Sequence, residues 1–169
     1  KEMPKYKNYD WKEVILDVCY EVLPDSRKLI VFGGTEEEED LYSPVERFLK
    51  NRYDGYQVMD TTRKKIKSGR LADFTAFKKS IFGWRVISFE VKAKPEAFEY
   101  FLNQADDIKK HSDELYLFAT PHFILEAGFK KTKDVKDAEK TVLDLLKKEG
   151  IGLYVIDEYL RARRKEAVK

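Results

Sequence analysis

Cysteine and histidine are scarce in this chain of 169 residues, which contains one cysteine and two histidines. The single Cys19 excludes an intramolecular disulfide, a cysteine-rich zinc site and an iron–sulfur cluster. His111 and His122 are too few for a histidine-rich metal site. Such low cysteine usage marks the redox compartment only weakly, and we expect a protein of the reducing cytoplasm, inside the cell.

Long hydrophobic runs are also missing. The longest aliphatic stretches, such as residues 29–32, are far shorter than the ~20 residues that a transmembrane helix needs. The first residues lack the apolar centre of a signal peptide. The sequence therefore predicts a protein without a membrane partner.

An excess of one charge is the third feature that the chain lacks. It has 33 Lys and Arg against 31 Asp and Glu, which gives a net charge of +2 and excludes both a histone-like polycation and an acidic tail protein. Charge itself is abundant, at 38% of residues, and is sorted into blocks. Residues 36–40 carry five acids and residues 63–70 carry five cations. A basic surface for DNA is compatible with this balance if the acidic block lies away from it.

The hydrophobic pattern predicts one domain, residues 1–169, built on a mixed β-sheet flanked by helices. We divide it into an N-terminal extension (1–40), a core (41–120) and a C-terminal helix–strand extension with a basic tail (121–169). Predicted helices cover 9–23, 43–52, 95–111 and 135–149, and predicted strands cover 29–32, 56–60, 71–77, 84–91, 114–120 and 151–156. Residues 80–83 join two of these strands as a hairpin. Pro121 ends a strand, and we expect His122 to follow it in a loop.

The most informative segment is Phe89–Lys94. Glu90 and Lys92 are two residues apart in a predicted strand, so their side chains lie on the same face. Asp73 lies on the preceding strand, and it converges with Glu90 if the two strands pair. Two carboxylates without a histidine suit Mg²⁺ or Mn²⁺, and a neighbouring lysine can orient a metal-activated water at a phosphate. Taken alone, the Glu-x-Lys triplet is more simply interpreted as a salt bridge at a strand end. The additional acid, Asp73, on the preceding strand favours the interpretation as a catalytic site.

Asp73, in Leu-Ala-Asp-Phe, and Glu90-Val91-Lys92, seventeen residues further on, resemble the motif of the PD-(D/E)XK nuclease superfamily. The element order of helix, three strands, helix and strand agrees over about residues 41–120, and Ala72 replaces a proline that varies in the family. The resemblance implies a restriction-endonuclease-like core and a Mg²⁺- or Mn²⁺-dependent DNA nuclease. It implies that Asp73, Glu90 and the backbone carbonyl of Val91 hold the metal, with Lys92 as the catalytic lysine.

Two further positions extend the resemblance. Many members have a glutamate on the helix before the first strand, where Glu46 stands, and RecB-like members have a glutamine on the helix after the third strand, where Gln104 stands. The resemblance implies that Glu46 reaches the metal or its water and that Gln104 orients the active site. Two simpler interpretations stay open: Ser43-x-x-Glu46 is a capping box, and Gln104 is an amide at the edge of an apolar helix face.

A basic stretch precedes the Asp73 strand. By itself it is typical of an exposed charged loop. Next to a site that cuts the phosphate backbone, it favours contact with DNA phosphates. The stretch consists of Arg63, Lys64, Lys65, Lys67 and Arg70.

Several functional alternatives remain open at this point. Archaeal Holliday-junction resolvases share the Glu-Val-Lys signature and cut branched DNA. A nucleic-acid-binding module could keep the fold without hydrolysis, and an interaction domain could use the acid–lysine set as an ion-pair network. Endonucleases of this kind are frequently dimers, since a double-strand cut requires two sites, so the resemblance is compatible with a homodimer and the oligomeric state stays open.

Overall fold

A mixed β-sheet of six strands forms the centre of the protein, in a computed structural model that describes residues 28–29, 38–62, 65–66, 69–92, 97–132 and 135–156. Its strands are β1 (Lys28–Leu29), β2 (Gln57–Asp60), β5 (Phe74–Ser80), β6 (Gly83–Lys92), β7 (Glu114–Ala119) and β8 (Ile151–Ile156). Their order in the sheet is β1-β8-β7-β6-β5-β2. A separate two-stranded ribbon consists of β3 (Lys65–Ile66) and β4 (Gly69–Arg70).

Helices cover both faces of this sheet. They are α1 (Glu38–Arg52), α2 (Ala97–Lys109), α3 (Pro121–Thr132) and α4 (Val135–Lys148). The predicted mixed sheet flanked by helices is therefore confirmed. None of the helices in the described ranges is long and apolar enough to span a bilayer.

The predicted hairpin is formed by β5 and β6, which pair antiparallel from Phe74 opposite Phe89 to Ser80 opposite Gly83. β6, β7 and β8 are parallel to one another, and the two crossovers contain α2 and then α3 with α4. β2 pairs antiparallel with the first half of β5. The sheet is thus antiparallel from β2 to β6 and parallel from β6 through to β1.

The side-chain alternation of β6 divides the core into two layers. Ile87, Phe89 and Val91 pack in the layer under α1, together with Tyr116, Phe118 and Tyr154. Ser88, Glu90 and Lys92 lie on the other face, beside Leu115, Leu117 and Ala119 of β7. That second layer is built with α2, α3 and α4. The polar set of β6 therefore faces the side of the sheet that α2 covers.

The first helix begins earlier than predicted. It starts at Glu38, which places Ser43 and Pro44 inside α1, so the capping-box prediction for Ser43 and Glu46 is wrong. Two features favour the earlier start. The acidic residues 38–40 suit the positive end of the helix dipole, and the buried stripe of α1 already begins at Leu41, ahead of Ser43.

A helix also follows Pro121, where a loop was predicted. Thr120 caps this helix, because its Oγ1 accepts a hydrogen bond from the amide of Phe123 at 3.1 Å. Proline is favoured directly after such a cap, since its missing N–H has no partner in the first turn anyway. Pro121 therefore ends β7 and begins α3, and the prediction of a loop around His122 is wrong.

Several predictions fall on parts of the chain without a structural description. The helix over 9–23 and the basic residues after 156 lie outside the described residues. Of the predicted strand over 29–32, only Leu29 is described, in β1. The strands and helices predicted from residue 56 onward agree in type with the structure, apart from the additional ribbon and α3.

Candidate active site

Asp73, Glu90 and Lys92 meet at one end of the β5–β6 hairpin. Phe74 and Phe89 form the last residue pair of this ladder, so Asp73 and Glu90 lie directly beyond it. The amide of Asp73 donates a hydrogen bond to Oε1 of Glu90 across 3.0 Å. The predicted convergence of the two carboxylate residues is confirmed.

The Asp73 carboxylate is held by main chain at one oxygen. Its Oδ2 accepts a hydrogen bond from the amide of Val91 at 2.8 Å. Its Oδ1 lies 3.5 Å from the hydroxyl of Tyr42, which reaches the site from α1. The hydrogen bond at Oδ2 is the shorter of these two contacts and therefore orients the carboxylate more strongly than the contact at Oδ1.

Glu90 and Lys92 form an ion pair that is closed off from solvent. Lys92 Nζ lies 3.4 Å from Glu90 Oε2. The exposed fraction is 0% for Glu90, 3% for Asp73 and 6% for Lys92. Burying three ionisable groups together is costly even when they are paired. A cluster of this kind is therefore a candidate functional site as well as a candidate structural ion pair.

Two threonines after β2 hold the main chain at Asp73. Thr61 Oγ1 donates to the carbonyl of Ala72 at 2.6 Å, and its amide donates to the carbonyl of Asp73 at 2.8 Å. Thr62 Oγ1 donates to the same Asp73 carbonyl at 3.2 Å. Sequence reasoning missed both residues and Tyr42, because a threonine pair or a lone helix tyrosine carries no signal of these long-range contacts.

The residues present fit a hard divalent cation. Asp73 and Glu90 are oxygen donors, and Mg²⁺ commonly takes one or two carboxylates together with water and substrate phosphate. Within the described residues there is no group of three or more His, Cys, Asp or Glu side chains that could form an all-protein cage. A third oxygen could come from Val91, whose carbonyl shares the strand edge on which its amide meets Asp73.

Glu46 lies one helical turn after Tyr42 on α1 and is half-buried. Its carboxylate pairs with Lys50 at 3.0 Å, which is an ordinary pairing of residues one turn apart. The structure places it on the side of α1 from which Tyr42 reaches Asp73. Its carboxylate contacts Lys50 instead of the other site carboxylates.

Gln104 lies on α2, the helix that packs on the same sheet face as Glu90. The buried residues of this helix are Phe98, Phe101, Ala105 and Ile108, and Gln104 is half-buried beside them. The predicted placement next to an apolar face is therefore correct. Tyr100, one turn earlier, is 56% exposed and faces away from that core.

The basic stretch is only partly described. Lys65 and Arg70 are partners in the β3–β4 ribbon, which leads directly into the Asp73 segment. β4 lies beside α2. Arg63, Lys64 and Lys67 are outside the described residues. The backbone thus puts at least two positions of the stretch in a hairpin next to the candidate site.

The chain matches no family model, no curated protein and no solved structure. The functional interpretation therefore depends on the site itself and on the motif resemblance.

Proposed function

We propose that the protein is a Mg²⁺- or Mn²⁺-dependent deoxyribonuclease with a restriction-endonuclease-like core. The observation that carries this proposal is the burial of Asp73, Glu90 and Lys92 together at the shared end of two strands. A pair of carboxylates with a lysine beside them supplies hard ligands and a cation within one small volume. Such a set supplies the groups that metal-assisted phosphodiester hydrolysis uses.

Each residue has a separate role in this proposal. Asp73 and Glu90, with the carbonyl of Val91, hold the cation. When bound, the cation supplies Lewis acidity, which lowers the pKa of a coordinated water and offsets the charge of the scissile phosphate. Lys92 orients the attacking water through Nζ and stabilises the negative charge that develops on the phosphate oxygens. Its contact with Glu90 keeps that ammonium group at the site.

Two outer residues assist in the proposed reaction. When substrate is bound, the Glu46 side chain would rotate away from Lys50 and toward the attacking water. Gln104 would orient Lys92 or a substrate oxygen from α2. Both are positioning residues in this proposal, because Asp73, Glu90 and the carbonyl of Val91 hold the cation and Lys92 acts on the water.

DNA is the proposed substrate because of the basic stretch beside the site. Lys65 and Arg70 are adjacent across the β3–β4 ribbon. Together with Arg63, Lys64 and Lys67 they would contact backbone phosphates on the approach to Asp73. Because each neutralised phosphate contact contributes about 0.9 to the slope of log K against log salt on B-DNA, binding should weaken steeply as salt rises.

The testing experiment is a cleavage assay on supercoiled, linear, single-stranded and branched DNA, with Mg²⁺, with Mn²⁺ and with EDTA. Asp73→Asn and Glu90→Gln are the informative variants, because their amide oxygens can still accept the main-chain hydrogen bonds. Glu139→Gln is the matched control, since Glu139 is an equally buried carboxylate on α4 outside the site. We expect cleavage by the wild type and the control only.

The branched substrate distinguishes a general nuclease from a junction resolvase. Cleavage confined to branched DNA would support the resolvase. Salt-dependent DNA binding without product under any metal condition would contradict the nuclease proposal and favour a binding module. Wild-type rates in Asp73→Asn and Glu90→Gln would contradict the assignment of the site.

A further inference from the structure

The β5–β6 hairpin extends past the rest of the sheet. β2 pairs with β5 only as far as Phe77, and β7 pairs with β6 only from Ile87 onward. Residues 78–85, here called the hairpin arm, therefore have no neighbouring strand on either side within the described part of the chain. At about 3.3 Å per residue the three residue pairs of the arm extend about 10 Å from the sheet.

Large apolar side chains are exposed on this arm. Ile81, Phe82 and Trp84 have exposed fractions of 93%, 94% and 60%. Among the described residues, the only other large hydrophobic side chain exposed to this degree is Tyr100, on α2. Exposed apolar groups gathered at one projecting position indicate a binding surface.

One face of the arm continues the face that carries the candidate active site. Trp84, Val86, Ser88 and Glu90 alternate along β6 and share one side of the sheet. Trp84 and Val86, with Thr75 and Phe77 of β5, line an open apolar groove of about 270 Å³. The rings of Phe77 and Trp84 meet edge to face at 5.9 Å. We call these four residues the arm groove. Trp84 lies six residues, or about 20 Å of strand, from Glu90.

Cations accompany the aromatic rings. Lys79 Nζ lies 5.9 Å from the centre of the Trp84 ring, and Lys78 Nζ lies 5.7 Å from that of Tyr56. Residues 78–85 contain three cations and no acid. Arg85 is bound to Glu114 at 2.9 Å and so anchors the base of the arm. Burial lowers the pKa of Arg85, but Glu114, Tyr56 and Asp113 together more than offset this, so the pKa is raised. Lys79 pairs with Trp84 and so lies on the groove side of the arm, whereas Lys78 pairs with Arg85 and lies on the opposite face. Lys79 is thus the cation beside the groove.

We propose that the arm groove stacks unpaired bases of a DNA strand whose backbone continues toward Asp73, Glu90 and Lys92. Aromatic rings interleaved with lysines are the ordinary means of holding a single strand, because every base offers a flat π-face and every link a phosphate. A paired duplex hides those base faces.

A second copy of the chain fits the arm less well. A two-fold contact brings the same patch of both copies together. Such a contact on the groove would bring Lys79 of both copies into one interface, with no acid within the arm to offset the two charges. A polyanion would instead neutralise the positive charge of the arm. Charge complementarity therefore favours nucleic acid over self-association.

This proposal rests on the proposed nuclease function, because it names the form of DNA that the same site receives. The test measures binding of a labelled oligothymidylate and of a blunt duplex by fluorescence anisotropy in EDTA. Trp84→Ala should weaken oligothymidylate binding by about 5- to 150-fold, the range expected for one stacked base. Trp84→Phe should restore most of the affinity, and duplex binding should stay within about twofold.

The control variant is Phe82→Ser, which removes the most exposed apolar side chain of the arm without touching the groove. It should bind oligothymidylate like the wild type. Tryptophan fluorescence gives a second readout: oligothymidylate should quench the wild type and leave Trp84→Phe nearly unchanged. In Mg²⁺, the preference for cutting DNA with an unpaired end over blunt DNA should fall in Trp84→Ala.

Equal oligothymidylate affinity in wild type and Trp84→Ala would overturn the proposal. So would loss of a dimer in Trp84→Ala, seen by light scattering, with unchanged DNA binding, since the groove would then belong to a second copy. The nuclease proposal fails separately. Trp84-dependent binding without cleavage in any metal supports the arm groove and refutes the nuclease, whereas cleavage with no effect of Trp84→Ala does the reverse.

Discussion

The amide of Asp73 donates to Oε1 of Glu90 across 3.0 Å, so the main chain of one site residue is bound by the side chain of the other. The amide of Val91 returns the contact, donating to Oδ2 of Asp73 at 2.8 Å. The two carboxylates therefore continue the β5–β6 ladder with side-chain hydrogen bonds. Each carboxylate therefore stabilises the end of the hairpin in addition to any role in catalysis. An informative variant must remove one of these two roles and keep the other.

Asp73→Ala should destabilise the fold more than Asp73→Asn. The asparagine oxygen can still accept from Val91, whereas alanine leaves that buried amide without its acceptor, at a cost of about 1–3 kcal/mol. Urea unfolding of the three proteins measures the difference. Equal free energies of unfolding for the alanine and asparagine variants would show that the hydrogen bond to Val91 contributes nothing.

Mn²⁺ should raise the melting temperature of the wild type, because a ligand that binds only the folded state stabilises it. At a concentration of about 100 Kd the gain is about 2.7 kcal/mol. Asp73→Asn and Glu90→Gln should lose this increase, EDTA should reverse it, and Glu139→Gln should keep it. A similar shift in all four proteins would place the metal elsewhere in the chain.

Thr61→Val should reduce cleavage although Thr61 is outside the proposed set of ligands. Valine keeps the shape but removes the hydroxyl that donates to Ala72 and contacts Thr75 Oγ1 at 2.9 Å. Without the hydroxyl the Asp73 segment is held less firmly. We therefore expect that a higher Mn²⁺ concentration is needed for half of the rise in melting temperature (the metal midpoint), and that cleavage is slower.

Thr61→Ser restores the hydroxyl and is the matched control for Thr61→Val. It should recover both the metal midpoint and the cleavage rate. Loss of stability in Thr61→Val with an unchanged metal midpoint would reduce Thr61 to a purely structural residue.

The parts of the site that sequence reasoning predicted are local in the chain. Asp73, Glu90 and Lys92 lie on one hairpin, and the period of two in a strand is enough to put Glu90 and Lys92 on one face. Tyr42, Thr61 and Thr62 come from elements whose positions depend on packing. No local pattern in the sequence fixes such contacts.

The prediction of the fold from the sequence is limited in the same way. The strands were predicted because β-branched and aromatic residues alternate within short runs bounded by turn residues. The sequence does not predict the helix after Pro121, because a proline there indicates the end of a strand and because the buried Phe123, Ile124 and Leu125 are consecutive. Consecutive apolar residues do not show the helical period. α3 also packs against α4, and no local pattern in the sequence specifies that contact.

That contact gives the last prediction. Gly128 of α3 lies against the backbone of α4, where an added Cβ would stand 1.8 Å from the carbonyl oxygen of Ala138. Backbone cannot move aside as the end of a side chain can. Gly128→Ala should therefore cost at least the about 1–3 kcal/mol that is usual for overpacking. For a chain of this size, each kcal/mol lowers the melting temperature by about 2–4 °C.

Gly150→Ala is the control for Gly128→Ala. Gly150 has a φ of +69° and no atom within 4 Å of an added Cβ, so alanine there meets backbone strain without a clash. That strain costs about 1–2 kcal/mol. Thermal unfolding should rank the wild type first, Gly150→Ala second and Gly128→Ala last. If Gly128→Ala is the more stable of the two variants, α3 and α4 do not approach as closely as described.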